Sequence, residues 1–309
     1  MEVSKDKIQQ RQAVTFRKSL FSSITKWLER QFLEFLGLLT MIRYHRRYSF
    51  QLIKTQALTL FTNSLIFPIT KITLGVEKSH SVCQSFLKTH SPTSLVTIPL
   101  PPPLKSNITM RGIDFGLYSE IYLKNGYSQE LLAEGMNIID IGANVGVYTV
   151  LAAEKVGKNG RVVAVEPEPK NYKQLLGNIK LNNFQNVISK NIAMTNHEGT
   201  EKLYLFSSLA SHSLIFPEDK NSYIEVPVKT IDKLLEELDI KKIDIIKIDA
   251  EGAEIPILKG AEKALRANPN MKMFIASYHY PSEVKEVRQF LDARGFKTKV
   301  SAGYVVITI

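Results

Sequence analysis

Two rhythms of apolar residues divide this chain. From about Lys105 onward, short apolar runs alternate with stretches whose apolar residues recur every three or four positions. Asn137–Ile141 is the first clear strand-like run, and a helical pattern after it ends near Gly157. Arg161–Val165 is the next strand, after which Tyr172, Leu175, Leu176 and Ile179 mark one face of a helix. Val187–Lys190 reads as a strand, and Glu201–Phe206 and Tyr223–Val228 as two more, expected to pair antiparallel. Thr230 has the side chain to cap a helix through Leu238. Ile243–Ile248, apolar except for Asp244 and Lys247, suits a buried strand, and a helix through about Ala267 follows. Lys272–Ser277 is a further strand, and a helix from Pro281 stops at Gly295. Phe296–Val300 and Tyr304–Ile309, joined around Gly303, should close the chain as an antiparallel pair. Strands alternating with helices predict an α/β fold, a doubly wound and mostly parallel sheet covered on both faces.

The first hundred residues follow the helical rhythm alone. Leu20, Ile24, Trp27, Leu28, Phe32, Phe35, Leu36 and Leu39 recur at helical spacing, with Arg17, Lys18, Lys26 and Arg30 between them. Charge sharpens the division. Residues 1–110 hold 15 Lys/Arg against 5 Asp/Glu, and residues 111–309 hold 25 of each, so the whole formal charge of +10 belongs to the N-terminal segment. A basic amphipathic segment of this kind either lies on an anionic membrane surface or packs as a cap or oligomer contact. The uncharged stretch Thr55–Thr70 contains Asn63, Ser64 and Pro68 and falls short of the ~20 apolar residues of a membrane span. The earlier apolar run is late and broken by Glu29 and Glu34, unlike a secretory signal. Pro101-Pro102-Pro103 marks the expected boundary between a basic, mainly helical extension, 1–104, and the α/β domain, 105–309. The single cysteine, Cys83, can form no internal disulfide, which favours a reducing, cytoplasmic compartment. Peripheral contact with the inner membrane surface through residues 1–60 is compatible with that. The Cys/His spacing of a zinc site is absent, and the sequence gives no reason to expect a metal.

The chemistry concentrates at the ends of the expected strands. In a doubly wound sheet, ligands bind beyond the carboxyl ends of the strands, near the point where the strand order reverses. Asp140, Glu166, Asn191, Asp249 and His279 all fall at or just beyond such ends. Around the first lies Asp140-x-Gly142-x-x-x-Gly146, a strand running through a glycine turn into a helix, a unit that turns backbone N–H groups toward a ligand. The spacing fails the dinucleotide fingerprint, because Asn144 and Val147 stand where its second and third glycines belong, and no Gly-Lys-Ser/Thr follows. An acidic residue here suits a ligand with a cationic amino group, and the glycines let its chain lie against the backbone. Glu166 can accept both hydroxyls of a ribose. Asn191 either meets a base edge or serves as an ordinary turn residue. Asp249, Glu251 and Glu254 crowd one strand end and the start of the next helix, where a helix dipole alone would welcome them. His279 combines a suitable intrinsic pKa with a strand-end position.

Asp140-Ile-Gly-Ala-Asn-Val-Gly146, Val163-Ala-Val-Glu-Pro167 and Ile248-Asp-Ala-Glu-Gly-Ala-Glu254 together resemble the FkbM family of class I S-adenosylmethionine-dependent methyltransferases. The resemblance covers roughly the last two-thirds of the chain. It implies a seven-stranded Rossmann-like sheet with one strand running against the others. It also implies S-adenosylmethionine bound by Asp140, Gly142, Ala143, Asn144, Gly146, Glu166, Pro167, Asn191 and Asp249. Glu251 and Glu254 would line the acceptor pocket, with His212 as a further loop residue near the substrate. His279 is the expected base, and Asp249 and Glu251 would orient the acceptor. The family's Glu-x-His pattern departs here, since Ser277 stands in place of the Glu. The reaction implied is methyl transfer to a hydroxyl of a sugar, glycan or other small metabolite. The Asn/Asp-Pro-Pro-aromatic motif of base-amino methylation is absent, and the catalytic half carries no basic-aromatic recognition motif, so a nucleic-acid acceptor is not expected. Two other readings are an RNA methyltransferase using the basic N-terminus, and a non-catalytic protein of the same fold that binds a membrane or partner.

Overall fold

The computed structural model describes residues 95–309 except 102, 112–113, 124, 207–211, 302–304 and 309. The helical extension expected over 1–104 and its membrane contact over 1–60 lie outside the described residues, apart from the last few before the boundary. Among the described residues, no helix is long and apolar enough to cross a membrane. Thr97–Met110 and Gly116–Ile309 form one compact unit, which carries nearly all the elements that follow.

Its centre is a seven-stranded sheet. Among the described residues, β1 (Leu95–Pro99) and β2 (Asn107–Arg111) pair only with each other. The sheet begins with β3 (Asn137–Ile141), α1 (Val147–Val156), β4 (Arg161–Val165), α2 (Pro169–Leu181) and β5 (Val187–Lys190). An excursion follows through β6 (Ala193–Met194), β7 (Gly199–Tyr204) and β8 (Tyr223–Lys229). The chain returns through α3 (Ile231–Glu237), β9 (Ile245–Ile248), α4 (Glu254–Lys259), α5 (Glu262–Ala267) and β10 (Lys272–Ala276). It closes with α6 (Glu283–Asp292), β11 (Thr298–Ser301) and β12 (Val305–Thr308).

The strand order is β11-β12-β10-β9-β3-β4-β5. β10, β9, β3, β4 and β5 are parallel, and β12 runs antiparallel to both its neighbours. β3 lies between β9 and β4, with β4 and β5 following on one side of it and β9 and β10 on the other. The order reverses between β9 and β3, and that reversal fixes the ligand edge. All four residues of β9 and four of the five in both β3 and β4 are buried, as strands covered on both faces must be. Their Ile and Val side chains join those of α3, α4 and α6 in one core, each contributing roughly 1.5–3 kcal/mol by leaving water.

The segment before β3 is fastened by side chains rather than by sheet hydrogen bonds. The Glu154 carboxylate of α1 accepts from the Lys105 and Ser106 amides, at 2.7 and 2.9 Å. Fully buried Asn178 of α2 accepts from Thr109 N–H at 2.7 Å and donates to Thr109 and Val145 carbonyls at 2.8 and 2.7 Å.

Three details depart from the sequence reading. β7 and β8 pair antiparallel as expected, but with β6 they form their own three-stranded sheet. Leu176 is 42% exposed: Tyr172, Leu175 and Ile179 pack together while Leu176 faces away. The helix expected through Ala267 is two helices, broken at Gly260. A side chain at Gly260 would strike the Thr195 carbonyl, and the Asp232 carboxylate of α3 caps the second helix by accepting from Lys263 and Ala264 amides at 2.9 and 2.8 Å.

Candidate active site

The glycine turn after β3 is built by backbone geometry that few other residues tolerate. Gly142 has φ +70°, and a Cβ there would collide with the Asp249 carbonyl at the end of neighbouring β9. Gly146 (φ +90°) is the N-cap of α1 and sits against Leu175. These two glycines let the turn press against β9 and α2, which is their reason for being glycine. Amides of Gly142 and Ala143 donate to the Val165 carbonyl, both at 3.0 Å, tying the turn to the end of β4.

Glu166 stands just beyond that end. Its Oε2 accepts from Asn144 N–H at 2.8 Å and its Oε1 from Glu168 N–H at 2.9 Å. Burial pushes its pKa up to about 7 against the pull of those two amides. Asn191 donates to the carbonyls of Glu166 and Pro167 at 2.8 and 2.9 Å, so it acts as a turn staple and its amide is spent there.

Asp140 is not where the sequence suggested. It is fully buried, its Oδ2 accepts from the Thr149 hydroxyl at 2.6 Å, and its Oδ1 lies 3.1 Å from Lys247 Nζ. Lys247 also donates to the Gly142 carbonyl at 2.8 Å. The charge of Asp140 is answered inside the protein, so it props the turn from beneath instead of meeting a ligand's ammonium group.

Above this turn is a cleft open to solvent, lined among others by Gly142, Asn144, Glu166, Pro167, His212, Asp249 and Glu251. The cleft brings together five of the expected cofactor residues; Ala143, Gly146, Asn191 and Asp140 support its walls from behind. His212 Nδ1 accepts from Phe206 N–H at 3.1 Å.

At one side of the cleft, four carboxylates surround one imidazole. His279 is buried; its Nδ1 lies 3.1 Å from Glu283 Oε2 and 3.6 Å from Glu254 Oε2. Its Nε2 lies 3.7 Å from Asp249 Oδ1 and 3.6 Å from Glu251 Oε2. The His279 backbone N–H also donates to Glu283 Oε2, at 2.8 Å. Tyr127 donates to Asp249 Oδ2 at 3.0 Å. Glu254 is fully buried, with Oε1 accepting from Ala250 N–H at 2.8 Å, and burial beside Glu283 holds its carboxyl protonated far above the usual range. Glu254 therefore supports the cluster from inside and does not line the cleft.

This arrangement corrects the role expected of His279. Burial disfavours a charged ring, but the Asp249 and Glu283 carboxylates outweigh it and raise the pKa to about 11. A ring that already holds both protons at neutral pH cannot take another from an acceptor. Ser277 points into the core and bonds the Ile275 carbonyl at 3.2 Å, and the carboxylate missing at that position is supplied to His279 by Glu283 instead.

Residues 140–298 match the methyltransferase FkbM domain, which is just over half of the chain. The chain belongs to the FkbM methyltransferase family. The methyl donor of this family is S-adenosylmethionine, and the cleft fits it: an open glycine turn for its chain and a buried carboxylate for its ribose. Among its relatives are methyltransferase sdnD of Sordaria araneosa, 26% identical over 48% of this chain and 68% of its own length. Hexuronic acid methyltransferase AglP of Haloferax volcanii is 25% identical over 52% of this chain and 64% of its own length. The chain thus spans about two-thirds of these relatives. Among solved structures, methyltransferase FkbM of Methylobacillus flagellatus superposes with TM-score 0.44 at 16% identity, covering 89% of this chain and 58% of that one.

Three residues of the methyltransferase site were not singled out from sequence. Lys247 carried a signal, being the one cation inside an apolar strand. Glu283 stands four residues after His279, a helical spacing that could have paired them. Tyr127 comes from a loop with no pattern that pointed to it.

Proposed function

We propose that this protein transfers the methyl group of S-adenosylmethionine to a hydroxyl oxygen of a sugar or glycan. The observation that carries the reading is the pairing of the glycine-turn cleft with ionisable carboxylates, Asp249 and Glu251, on its wall. Carboxylates accept hydrogen bonds from hydroxyls, and two of them side by side suit a polyol better than an apolar acceptor. The hexuronic acid methyltransferase among the relatives supports a sugar acceptor.

In this reading Glu166 accepts from the donor's ribose hydroxyls, and the backbone of Gly142–Asn144 lies along its amino-acid chain. Asp249, held by the Tyr127 hydroxyl, and Glu251 orient the acceptor hydroxyl. The sulfonium carbon is already activated. The enzyme mainly aligns the oxygen behind that carbon and excludes water, and such alignment is worth up to ~7–11 kcal/mol of barrier. The C–S bond breaks as the C–O bond forms, sulfur leaves as a neutral thioether, and the hydroxyl proton passes to the carboxylates or to water.

Incubation with methyl-labelled S-adenosylmethionine and a panel of sugars, uronic acids and glycan fractions tests this. Label should appear as an alkali-stable methyl ether. Label recovered only as a methylamine or in RNA would refute the acceptor class.

A further inference from the structure

We propose that Asp249, Glu251 and His279 form a divalent-cation site on the cleft wall, taking an ion of the Mn²⁺ or Mg²⁺ class. Its use in catalysis rests on the methyl-transfer reading, but its existence does not.

Three donors converge: Asp249 Oδ1, Glu251 Oε2 and His279 Nε2 lie within 4.8 Å of one another. The imidazole nitrogen is the decisive one. His279 is 95% buried as a side chain, and its Nε2 has no hydrogen-bond partner. It points into the gap between the two carboxylates, at 3.7 and 3.6 Å from their oxygens. Nε2 stands almost equally far from both carboxylates, beyond hydrogen-bond reach of either. Adjacent ligands ~2.1 Å from one octahedral ion are ~3.0 Å from each other. The observed spacings of 3.7 and 3.6 Å are a little wider, within reach of small side-chain movements around a shared centre.

The surroundings are those of a ligating histidine. Glu283 engages Nδ1 at 3.1 Å, which fixes the ring, so that an ion displacing the Nε2 proton would find that nitrogen already turned to the carboxylates, the usual arrangement behind a metal-bound imidazole. Tyr127 holds the other oxygen of Asp249 and so turns Oδ1 toward the gap. Two carboxylate oxygens and one imidazole suit a hard to borderline ion that keeps water in its remaining positions. Asp249 and Glu251 line the cleft, so those positions open toward the acceptor. An acceptor hydroxyl replacing a water there would be polarised by the ion, lowering the cost of losing its proton.

Mn²⁺ titrated into the full-length, chelator-treated protein and followed by electron paramagnetic resonance is the direct test. The expected result is one site per chain, with pulsed spectra of ¹⁵N-histidine-labelled protein showing coupling to an imidazole nitrogen. His279→Gln and Asp249→Asn should each weaken Mn²⁺ binding at least tenfold and remove that coupling, and Glu283→Gln should weaken it tenfold to a hundredfold. Absence of imidazole coupling in the wild-type protein overturns the site without reliance on any variant. Unchanged Mn²⁺ affinity in folded His279→Gln overturns it as well. S-adenosylhomocysteine binding measured by calorimetry with chelator present separates the two questions. If that ligand binds and Mn²⁺ does not, the cation site fails alone; if Mn²⁺ binds and the ligand does not, the cofactor reading fails instead.

Discussion

Replacing Lys247 by Met should expose how the cofactor turn is held. Lys247 and Asp140 are directly opposed across β9 and β3, 3.1 Å apart, with 2% and 0% of their side chains exposed. At that separation, and with an effective dielectric near ~20, their attraction is roughly 5 kcal/mol before desolvation is counted. The charged pair together gains little over a neutral one, because both ions gave up water to form it. Removing only the lysine is different. Asp140 is left with only the Thr149 hydroxyl as a partner, and the Gly142 carbonyl loses its donor. The expected cost is about 3–5 kcal/mol, a large part of the ~5–15 kcal/mol that a domain has. Asp140→Asn together with Lys247→Met should recover about 2 kcal/mol or more relative to the sum of the two single changes. Urea unfolding followed by far-UV circular dichroism is the suitable assay, since the one tryptophan, Trp27, lies outside the described residues. If Lys247→Met costs under ~1 kcal/mol, or the two changes add within ~0.5 kcal/mol, the buried pair does not hold the turn.

Three further outcomes can be checked. Glu166 accepts hydrogen bonds best when ionised, and its pKa is pushed up to about 7 by burial, so acidification protonates it in the physiological range. Affinity for S-adenosylhomocysteine should therefore fall severalfold from pH 8 to pH 6. Glu166→Gln should bind more weakly by over ~1 kcal/mol, without that pH dependence. Gly142→Ala forces a side chain into the Asp249 carbonyl at φ +70° and should cost at least ~2 kcal/mol, seen as a melting temperature lower by roughly 5 °C or more; an unchanged melt would contradict the turn geometry. If the basic segment within residues 1–60 lies on an anionic surface, the full chain should sediment with phosphatidylserine vesicles and be released by high salt. Salt-insensitive or absent sedimentation would leave cap or oligomer contact as its role.

What could be read from the sequence was the part encoded locally. The central strands of the main sheet announced themselves as apolar runs, while edge strand β11 (Thr-Lys-Val-Ser) starts two residues later than its expected run, and Thr230 does accept from Lys233 N–H at 3.0 Å, as a cap should. The glycine turn and Glu166 were legible for the same reason, because a short segment sets their geometry. The charge pairings were not. Asp140 looked like a ligand for an ammonium group because nothing near it in sequence could neutralise it. Its partner Lys247 is more than a hundred residues away and meets it only through the register of β3 against β9. His279 looked like a base because an isolated imidazole has a pKa near ~6.5. Asp249, Glu251 and Glu254 from one segment and Glu283 from another come together to change that.

The two errors share a cause and a direction. Each took a residue's intrinsic charge as available to a ligand, when the fold had already supplied a partner of opposite sign. For Asp140 the partner is a lysine 3.1 Å away, and both side chains are buried beneath the cleft. For His279 the balance is open, because Asp249, Glu251 and Glu283 face one ring, with protonated Glu254 behind it. A site whose negative charge exceeds what its own residues neutralise is one that a cation can complete. The same surplus explains why the imidazole cannot serve as the base and why the wall beside the methyl donor is suited to hold an ion.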